Sequence, residues 1–418
     1  MSFSNPTILG LKKSFGFGDR LGLAGPGHIA ALKKSSFAGI ISQQSIREMA
    51  RTQRTPDEVM NAARTAIEAC KYDQPWGADA DHLKTEEDVK YTADAGFCFF
   101  TIDPSEFVVN EADSVDEPAL NEGVAALVNG GVFDGPDWEE RYLGKEIEIN
   151  DGFALTFDKE SLYRAAVKYA RAIAHCEEMS GYIAKHSADR PFEIEVSVDE
   201  TDSPTSHLEH LFFALELKRR GVTVVSLAPR FIGEFEKGID YKGDLEAFDA
   251  SLEKHVAIAK AMGPYKISVH SGSDKFSIYP AIGRICGDLL HVKTAGTSYL
   301  EALRVVTRTN PDLFKEIVAY SAGRFTTDKV SYHISVTDAD VEGFVANPPS
   351  DYEKVFLDED HGRQLLHVTF GSVLTMGKAA SGQLFKEAIM ENLEANADLH
   401  AEVLEKHLGK HLSLLEQG

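Results

Sequence analysis

Two segments of the sequence carry residues that suit acid–base chemistry and metal binding. One run ends in the pair Asp81-His82, and a later run ends at His270 and continues into a short loop of small residues. A carboxylate and two imidazoles that converge from separate strand ends would suit a catalytic divalent cation, because they leave coordination positions open for substrate oxygens. On its own, the Asp81-His82 pair is equally compatible with capping the next helix.

A third segment alternates acidic with aliphatic residues. Its period of two places Glu193, Glu195 and Ser197 on one face of a predicted strand. Carboxylates on that face are favourable inside a barrel near a metal and unfavourable against packed outer helices. We therefore predict that these side chains point into a barrel.

Charged residues also follow two further predicted strands. A polar loop after the sixth strand contains Arg230, Glu234 and Glu236, and the eighth strand ends in Lys293-Thr294. Long polar loops after strands carry function more often than packing, although a solvated loop is the alternative.

These residues need a fold that brings the carboxyl ends of several strands together. Short, apolar, β-rich runs alternate with helical segments, which is typical of parallel β-α-β units. Eight such runs predict an α/β fold, a closed (β/α)8 TIM barrel with its active site at the carboxyl ends of the strands, and an open doubly wound sheet is the alternative. The predicted strands are residues 13–20, 39–43, 74–81, 97–103, 192–198, 223–228, 265–270 and 290–294.

Two intervals do not fit the eight-fold repeat. Residues 104–157 are predicted to form an insertion after the fourth strand of a barrel domain that spans 1–330. Residues 331–418 are predicted to form a mostly helical extension that packs on the barrel. Either interval could close over the mouth of the barrel.

Composition narrows the possible partners. The chain has 66 acidic and 43 basic side chains, a formal net charge of -23, so it should bind neither nucleic acid nor an anionic membrane. Its four cysteines form no paired motif, and no stretch is long and apolar enough to cross a bilayer. We expect a cytoplasmic protein that acts on a small molecule, with a homo-oligomer as a possibility. Histidines in or beside predicted helices should be solvent-exposed or capping; they are His175, His186, His207, His210, His255, His400, His407 and His411.

Several short strings together resemble the tagaturonate epimerase family. They are residues 14–22, 43–48, 77–82, 100–103 and 233–241, and the similarity runs from about residue 10 to the end of the eighth β-α unit. The order of the polar strand ends is also distantly similar to that of class II metal-dependent aldolases. The family resemblance implies a barrel enzyme with a bound divalent cation that interconverts D-tagaturonate and D-fructuronate, two ketohexuronates that differ only at C4.

The same resemblance implies roles for single residues. Asp81 would accept a proton and Glu195 would donate one, while His82 and His270 would bind the cation, for which zinc, manganese and nickel are all plausible. The candidates for a cationic partner of the substrate carboxylate are Arg20, Arg230, Lys275 and Lys293.

The third metal ligand implied by the resemblance lies in the loop after the sixth strand. We expect it to be Glu234, with Glu236 as the alternative.

The chemistry of C4 inversion favours a retro-aldol route. A C2 ketone does not acidify the C4 proton, so enolisation cannot invert that centre. A base that removes the 4-OH proton allows the C3–C4 bond to break, and turning the aldehyde before the bond re-forms inverts C4. Oxidation by a nicotinamide is disfavoured, because no convincing GxGxxG precedes a helix. The rival functions are a class II-type aldolase that releases both fragments and a sugar-acid-binding barrel without catalysis.

Overall fold

Eight parallel strands close into a barrel, as the sequence predicts. The structure is a computed structural model that describes residues 5–418. Its strands are β1 (Ser14–Gly18), β2 (Ala38–Ser45), β3 (Trp76–Leu83), β4 (Phe99–Ile102), β5 (Glu146–Asn150), β6 (Phe153–Thr156), β7 (Glu193–Val198), β8 (Ser226–Pro229), β9 (Lys266–Val269) and β10 (Leu290–Thr294). All except β5 and β6 pair in parallel in the closed order β1-β10-β9-β8-β7-β4-β3-β2, which rules out an open sheet.

Helices surround the barrel. Helices from the carboxyl-terminal part of the chain form a further layer. They are α1 (Gly25–Leu32), α2 (Ile46–Thr52), α3 (Pro56–Ala69), α4 (Glu86–Asp94), α5 (Glu117–Asn129), α6 (Lys159–Ser187), α7 (His207–Arg219), α8 (Leu245–Met262), α9 (Tyr279–Cys286), α10 (Thr297–Thr309), α11 (Pro311–Asp328), α12 (Asp338–Ala346), α13 (Asp360–Thr375), α14 (Phe385–Ala395) and α15 (Ala397–Leu415). Among the residues described, no helix combines the length and apolar character that a membrane span requires.

Side-chain caps fix where several helices begin. Thr55, Thr85 and Ser206 each accept a hydrogen bond from the amide three residues later, and the carboxylate at that later position accepts one from the backbone N–H of the cap residue. Asp158 caps α6 in the same way by accepting from the Ser161 amide at 2.8 Å. Thr85 and Ser206 thus begin α4 and α7 directly after the segments that follow β3 and β7.

The interval 104–157 lies outside the barrel. β4 pairs directly with β7, while β5 and β6 form a separate antiparallel hairpin preceded by α5. The chain thus leaves the barrel after β4 and returns through the long helix α6, where the sequence predicts an insertion.

The carboxyl-terminal helices continue the packing of the barrel. α15 packs against α1, α9 and α10, and so lies within the ring of helices around the strands. Residues of α10, α11, α13 and α14 share a second hydrophobic cluster. This cluster includes residues before 331, because α11 packs with the helices that follow it. The domain boundary between residues 330 and 331 stays a prediction. All four cysteines are free.

Candidate active site

A cavity opens at the carboxyl ends of the barrel strands. Its empty volume is about 640 Å³, counted to the solvent-open mouth. Asp81 and His82 from β3, His270 after β9 and Lys293 from β10 line it, together with Asp199, which follows β7. The barrel therefore brings together polar residues that lie more than 200 positions apart in the sequence.

A local irregularity in β3 explains how two consecutive residues face the same cavity. In a regular strand, Asp81 and His82 would point to opposite sides. The pairing of β3 with β4 shifts register between Ala80 and Leu83, and His82 has a positive φ of 54°. A bulge of this kind re-aims a side chain, so both the carboxylate and the imidazole line the cavity.

The geometry of three side chains suits a metal ion. Ligand atoms of Asp81, His82 and His270 all lie within 4.8 Å of one another. The Nδ1 atom of His82 lies 3.1 Å from Asp103 Oδ2, which orients the ring and leaves Nε2 for a ligand. Asp103 thus takes the place that a carboxylate commonly has behind a metal-binding histidine.

Two carboxylates flank the second imidazole. His270 Nε2 lies 2.7 Å from Glu195 Oε1, and His270 Nδ1 lies 3.4 Å from Asp199 Oδ1. Glu195 points inside the barrel, as its alternating segment predicts, and is fully buried.

A single buried ammonium group lies among three carboxylates beneath the cavity. Lys293 Nζ is 2.7 Å from Asp79 Oδ2 and 2.8 Å from both Asp81 Oδ1 and Glu195 Oε1. Burial raises the pKa of Asp79 to about 7 even though Lys293 acts in the opposite direction. The single charge of Lys293 does not balance three carboxyl groups, so this part of the site favours additional positive charge.

The pKa values of both histidines show the same preference. Burial acts to lower the pKa of His82, but Asp81 and Asp103 outweigh it and raise the pKa to about 10. For His270, burial is outweighed by Asp199 and Glu195, and the pKa rises to about 9. A site that holds a proton this strongly on each of two adjacent imidazoles also favours a metal cation in place of those protons.

The predicted third ligand does not join these histidines. Glu234 Oε2 lies 2.6 Å from His333 Nε2 and lines a neighbouring pocket instead of the cavity. The alternative, Glu236, accepts hydrogen bonds from the Ser335 amide at 2.7 Å and from Gln364 Nε2 at 2.6 Å. An oxygen of Asp81, by contrast, lies within 4.8 Å of ring nitrogens of both His82 and His270.

The four predicted partners of a substrate carboxylate lie in different surroundings. Arg20 lines the cavity, where its Nε and Nη2 lie 2.9 Å from Glu48 Oε1 and its buried Nη1 has no hydrogen-bond partner. Lys293 lies among the three carboxylates described above. Arg230 lines only the neighbouring pocket. Lys275 is fully buried and donates to three backbone carbonyls, so we do not retain it as a substrate ligand.

Besides Ser271, which directly follows His270, four residues that the sequence did not single out as site residues line both the cavity and the neighbouring pocket. These residues are Arg47, Asp199, Lys237 and Tyr332. Asp199 directly follows a predicted strand, the same signal that identified His270. Lys237 lies in the loop that the sequence marked as functional, between the two glutamates chosen there and the next strand. Tyr332 lies in the carboxyl-terminal region, where no strand end pointed to it.

Comparison with known proteins gives consistent matches over nearly the whole chain. The sequence profile of the tagaturonate epimerase family matches residues 1–415. A tagaturonate/fructuronate epimerase of Thermotoga maritima is 45% identical over 411 residues, which cover 98% of this chain and 82% of that protein. The glycerol-bound crystal structure of a fructuronate-tagaturonate epimerase from Cohnella laeviribosi superposes with a TM-score of 0.92 at 37% identity, covering 99% of this chain and 83% of that one. The native crystal structure of that enzyme gives a TM-score of 0.90.

Proposed function

The chain belongs to the tagaturonate epimerase family, and we propose that it interconverts D-tagaturonate and D-fructuronate by inverting C4 with a divalent cation. One observation carries the proposal. In a chain 45% identical to an enzyme of that name, Asp81 and His82 of β3 meet His270, which follows β9, at one cavity at the carboxyl ends of the barrel.

The residues at the cavity fit a divalent cation. His82 and His270 would hold it, with Asp81 as the nearest carboxylate, and Glu234, the expected third ligand, lines the neighbouring pocket instead. Zinc, manganese and nickel all accept this combination of imidazole and carboxylate donors. A cation bound there would stabilise the negative charge that develops on the C2 and C3 oxygens of the sugar acid.

Asp81 is the group that we assign to the 4-OH proton. Burial alone would raise its pKa, but His82 and Lys293 lower it well below the ordinary value, so the side chain stays ionised near neutrality. When Asp81 takes the proton, the C3–C4 electron pair moves to the C2–C3 bond and C4 becomes an aldehyde. Turning that aldehyde and reversing the same steps gives the C4 epimer.

Asp81 returns the proton that it took to the new 4-OH, and Glu195 acts from behind the cavity. Glu195, the expected donor, is fully buried and does not line the cavity. It contacts His270 and Lys293 at 2.7 and 2.8 Å, and both of these residues line the cavity. Burial alone would raise its pKa, but Lys293 and His270 lower the pKa of Glu195 well below its ordinary value, so this carboxyl is ionised and holds no proton to donate. We therefore change the expected role of Glu195 and place it behind His270 and Lys293, where its carboxylate orients both side chains.

The aldehyde fragment must stay bound while it turns. Tyr332 and His367 line the cavity from the carboxyl-terminal region. No residue of the insertion 104–157 lines the cavity or the neighbouring pocket in the part of the chain described. We therefore assign retention of the aldehyde to the interval 331–418 and not to the insertion 104–157.

Proton NMR of D-tagaturonate incubated with the protein in deuterium oxide tests the proposal. Chelator-treated protein should be inactive, and added manganese, zinc or nickel should restore formation of fructuronate with protium kept at C4. Deuterium at C4 would contradict the retro-aldol step, and three-carbon products without fructuronate would identify an aldolase. An absence of any conversion with every cation would overturn the proposed function.

A further inference from the structure

Lys237 is a cation at the edge of the active site without an acidic partner. It is half-buried, lines both the cavity and the neighbouring pocket, and donates to Ser271 Oγ at 2.5 Å. Among residues 5–418, no carboxylate oxygen lies within 4.0 Å of its ammonium group. A cation that is partly withdrawn from water without a counter-ion favours the arrival of an anion.

The other cations that line the cavity are already paired. Arg20 lies 2.9 Å from Glu48, Arg47 lies 3.3 Å from Glu200, and Lys293 lies among three carboxylates. Their charges are largely neutralised by the protein itself. Arg20 keeps one buried Nη1 without a hydrogen-bond partner but shares its charge with Glu48, whereas Lys237 is the lysine at the cavity whose charge no carboxylate of the described chain balances.

The backbone around Lys237 is fixed on both sides. The buried ammonium of Lys275 donates to the carbonyls of Glu236 at 2.8 Å and of Ile239. Arg363 Nε donates to the Gly238 carbonyl at 2.7 Å. A rigid loop that presents one unpaired ammonium group is suited to holding a ligand group in a defined place.

We propose that Lys237, together with the hydroxyl of Ser271, binds the carboxylate of the sugar acid and retains the cleaved fragment while C4 inverts. This inference rests on the proposed function and adds a binding site for the C6 carboxylate. Ser271 directly follows His270, so the carboxylate would lie beside the proposed metal ligands.

Cleavage of the C3–C4 bond is the reason that a bound carboxylate would also retain the fragment. With the ketone at C2, breaking C3–C4 leaves carbons 1–3 as an enediolate and carbons 4–6 as an aldehyde that carries the carboxylate. If the carboxylate stays bound, rotation about C4–C5 presents the opposite face of the aldehyde to C3. One ionic contact then prevents loss of the fragment and still permits the turn.

The test compares charged and neutral ligands in Lys237→Met. Lys242→Met is the matched control, because Lys242 lies on the same loop but outside both pockets. The measurements are kcat and KM for tagaturonate, the inhibition constant of tagatose, which has a hydroxymethyl group in place of the carboxylate, and the fraction of turnovers that release three-carbon products.

Loss of a charge-assisted contact should raise KM for tagaturonate about 10- to 100-fold. The inhibition constant of tagatose should not change, and the released three-carbon fraction should rise above that of wild type. Lys237→Gln serves the same comparison if the methionine variant does not fold. Equal changes for both ligands, or no change for either, would overturn the inference. Failure of the wild-type protein to epimerise would instead overturn the proposed function.

Discussion

Two groups of histidine and aspartate in this barrel have the same composition and different surroundings. The cavity cluster consists of Asp81, His82 and His270, and the α15 cluster consists of Asp274, His407 and His411. In both, the candidate ligand atoms lie within 4.8 Å of one another. The two clusters are adjacent in the chain, since Asp274 follows His270 by four residues.

The α15 cluster already has the hydrogen-bond and charge partners that it needs. Arg363 Nη2 lies 2.8 Å from Asp274 Oδ2, and His407 Nε2 lies 2.7 Å from Asp274 Oδ1. The Asp274 amide donates to His411 Nε2 at 3.0 Å, which occupies that nitrogen. An arginine and a backbone amide thus take the places that a cation would need, and they join α13 and α15 to the loop after β9.

The difference between the clusters shows that donor composition alone does not identify a metal site. The cavity cluster lines a space that substrate can enter. Around it, the carboxylates of Asp79, Asp81 and Glu195 outnumber the one ammonium group of Lys293. The three residues of the α15 cluster line neither the cavity nor the neighbouring pocket, and Arg363 and a backbone amide already occupy their polar atoms. We therefore expect metal at the first cluster and a structural role for the second.

The largest expected effect is loss of metal from the cavity cluster. His82→Ala and His270→Ala each remove an imidazole donor, so they should lose bound metal and lower kcat/KM by about 1000-fold or more. Metal content by inductively coupled plasma mass spectrometry and steady-state kinetics measure both. His407→Gln is the control and should keep its metal. Loss of metal from the control variant alone would reverse the assignment of the two clusters.

A smaller loss is expected when only the proton acceptor is changed. Asp81→Asn keeps the size and one oxygen donor of the side chain but cannot take the 4-OH proton. It should retain metal and lower kcat by about 100- to 10,000-fold. Full turnover in this variant would remove Asp81 from the mechanism, and loss of metal would show that its main role is to bind the cation.

Changing the α15 cluster should affect stability before activity. Arg363→Met leaves the buried Asp274 without its guanidinium partner, which typically costs about 3–5 kcal/mol. Urea unfolding should show this loss, whereas the metal-to-protein ratio of the folded fraction should match wild type. An unchanged unfolding free energy would contradict the structural role given to this cluster.

The smallest effect concerns pH. Burial acts to lower the pKa of His407, but Glu301 and Asp274 outweigh it and raise the pKa above its ordinary value. Protonated His407 therefore adds stability that is fully present below the unfolded pKa of about 6.5 and is lost as pH rises through the folded pKa. The difference in unfolding free energy between wild type and His407→Gln should be larger near pH 6 than near pH 9. A difference that grows with pH would contradict the stated sign.

The polar residues at the strand ends of the catalytic region could be predicted, because local sequence patterns indicate where each strand ends. Buried parallel strands read as short apolar runs, and the polar residue that ends each run must lie at the mouth of a closed barrel. Asp81, His82 and His270 were found in this way. Asp199 directly follows the fifth predicted strand and carries the same signal.

Long loops and outer helices were harder to predict, because their contacts depend on distant parts of the chain. Nothing local distinguishes Lys237 from Glu234 on one polar loop, since only the folded loop shows which side chain faces the cavity. The expectation that helical histidines are exposed or capping was wrong for five that are buried, namely His175, His210, His255, His400 and His411. Their helices are covered on more than one face by neighbouring helices, and a single sequence does not show this coverage.

Anomalous diffraction from crystals soaked in manganese or zinc would test the comparison of the two clusters most directly. The account predicts one strong peak within coordination distance, about 2.0–2.2 Å, of His82 Nε2 and a ring nitrogen of His270. It predicts no peak among Asp274, His407 and His411. A peak at the α15 cluster with none between His82 and His270 would contradict the proposed metal site and the catalytic account built on it.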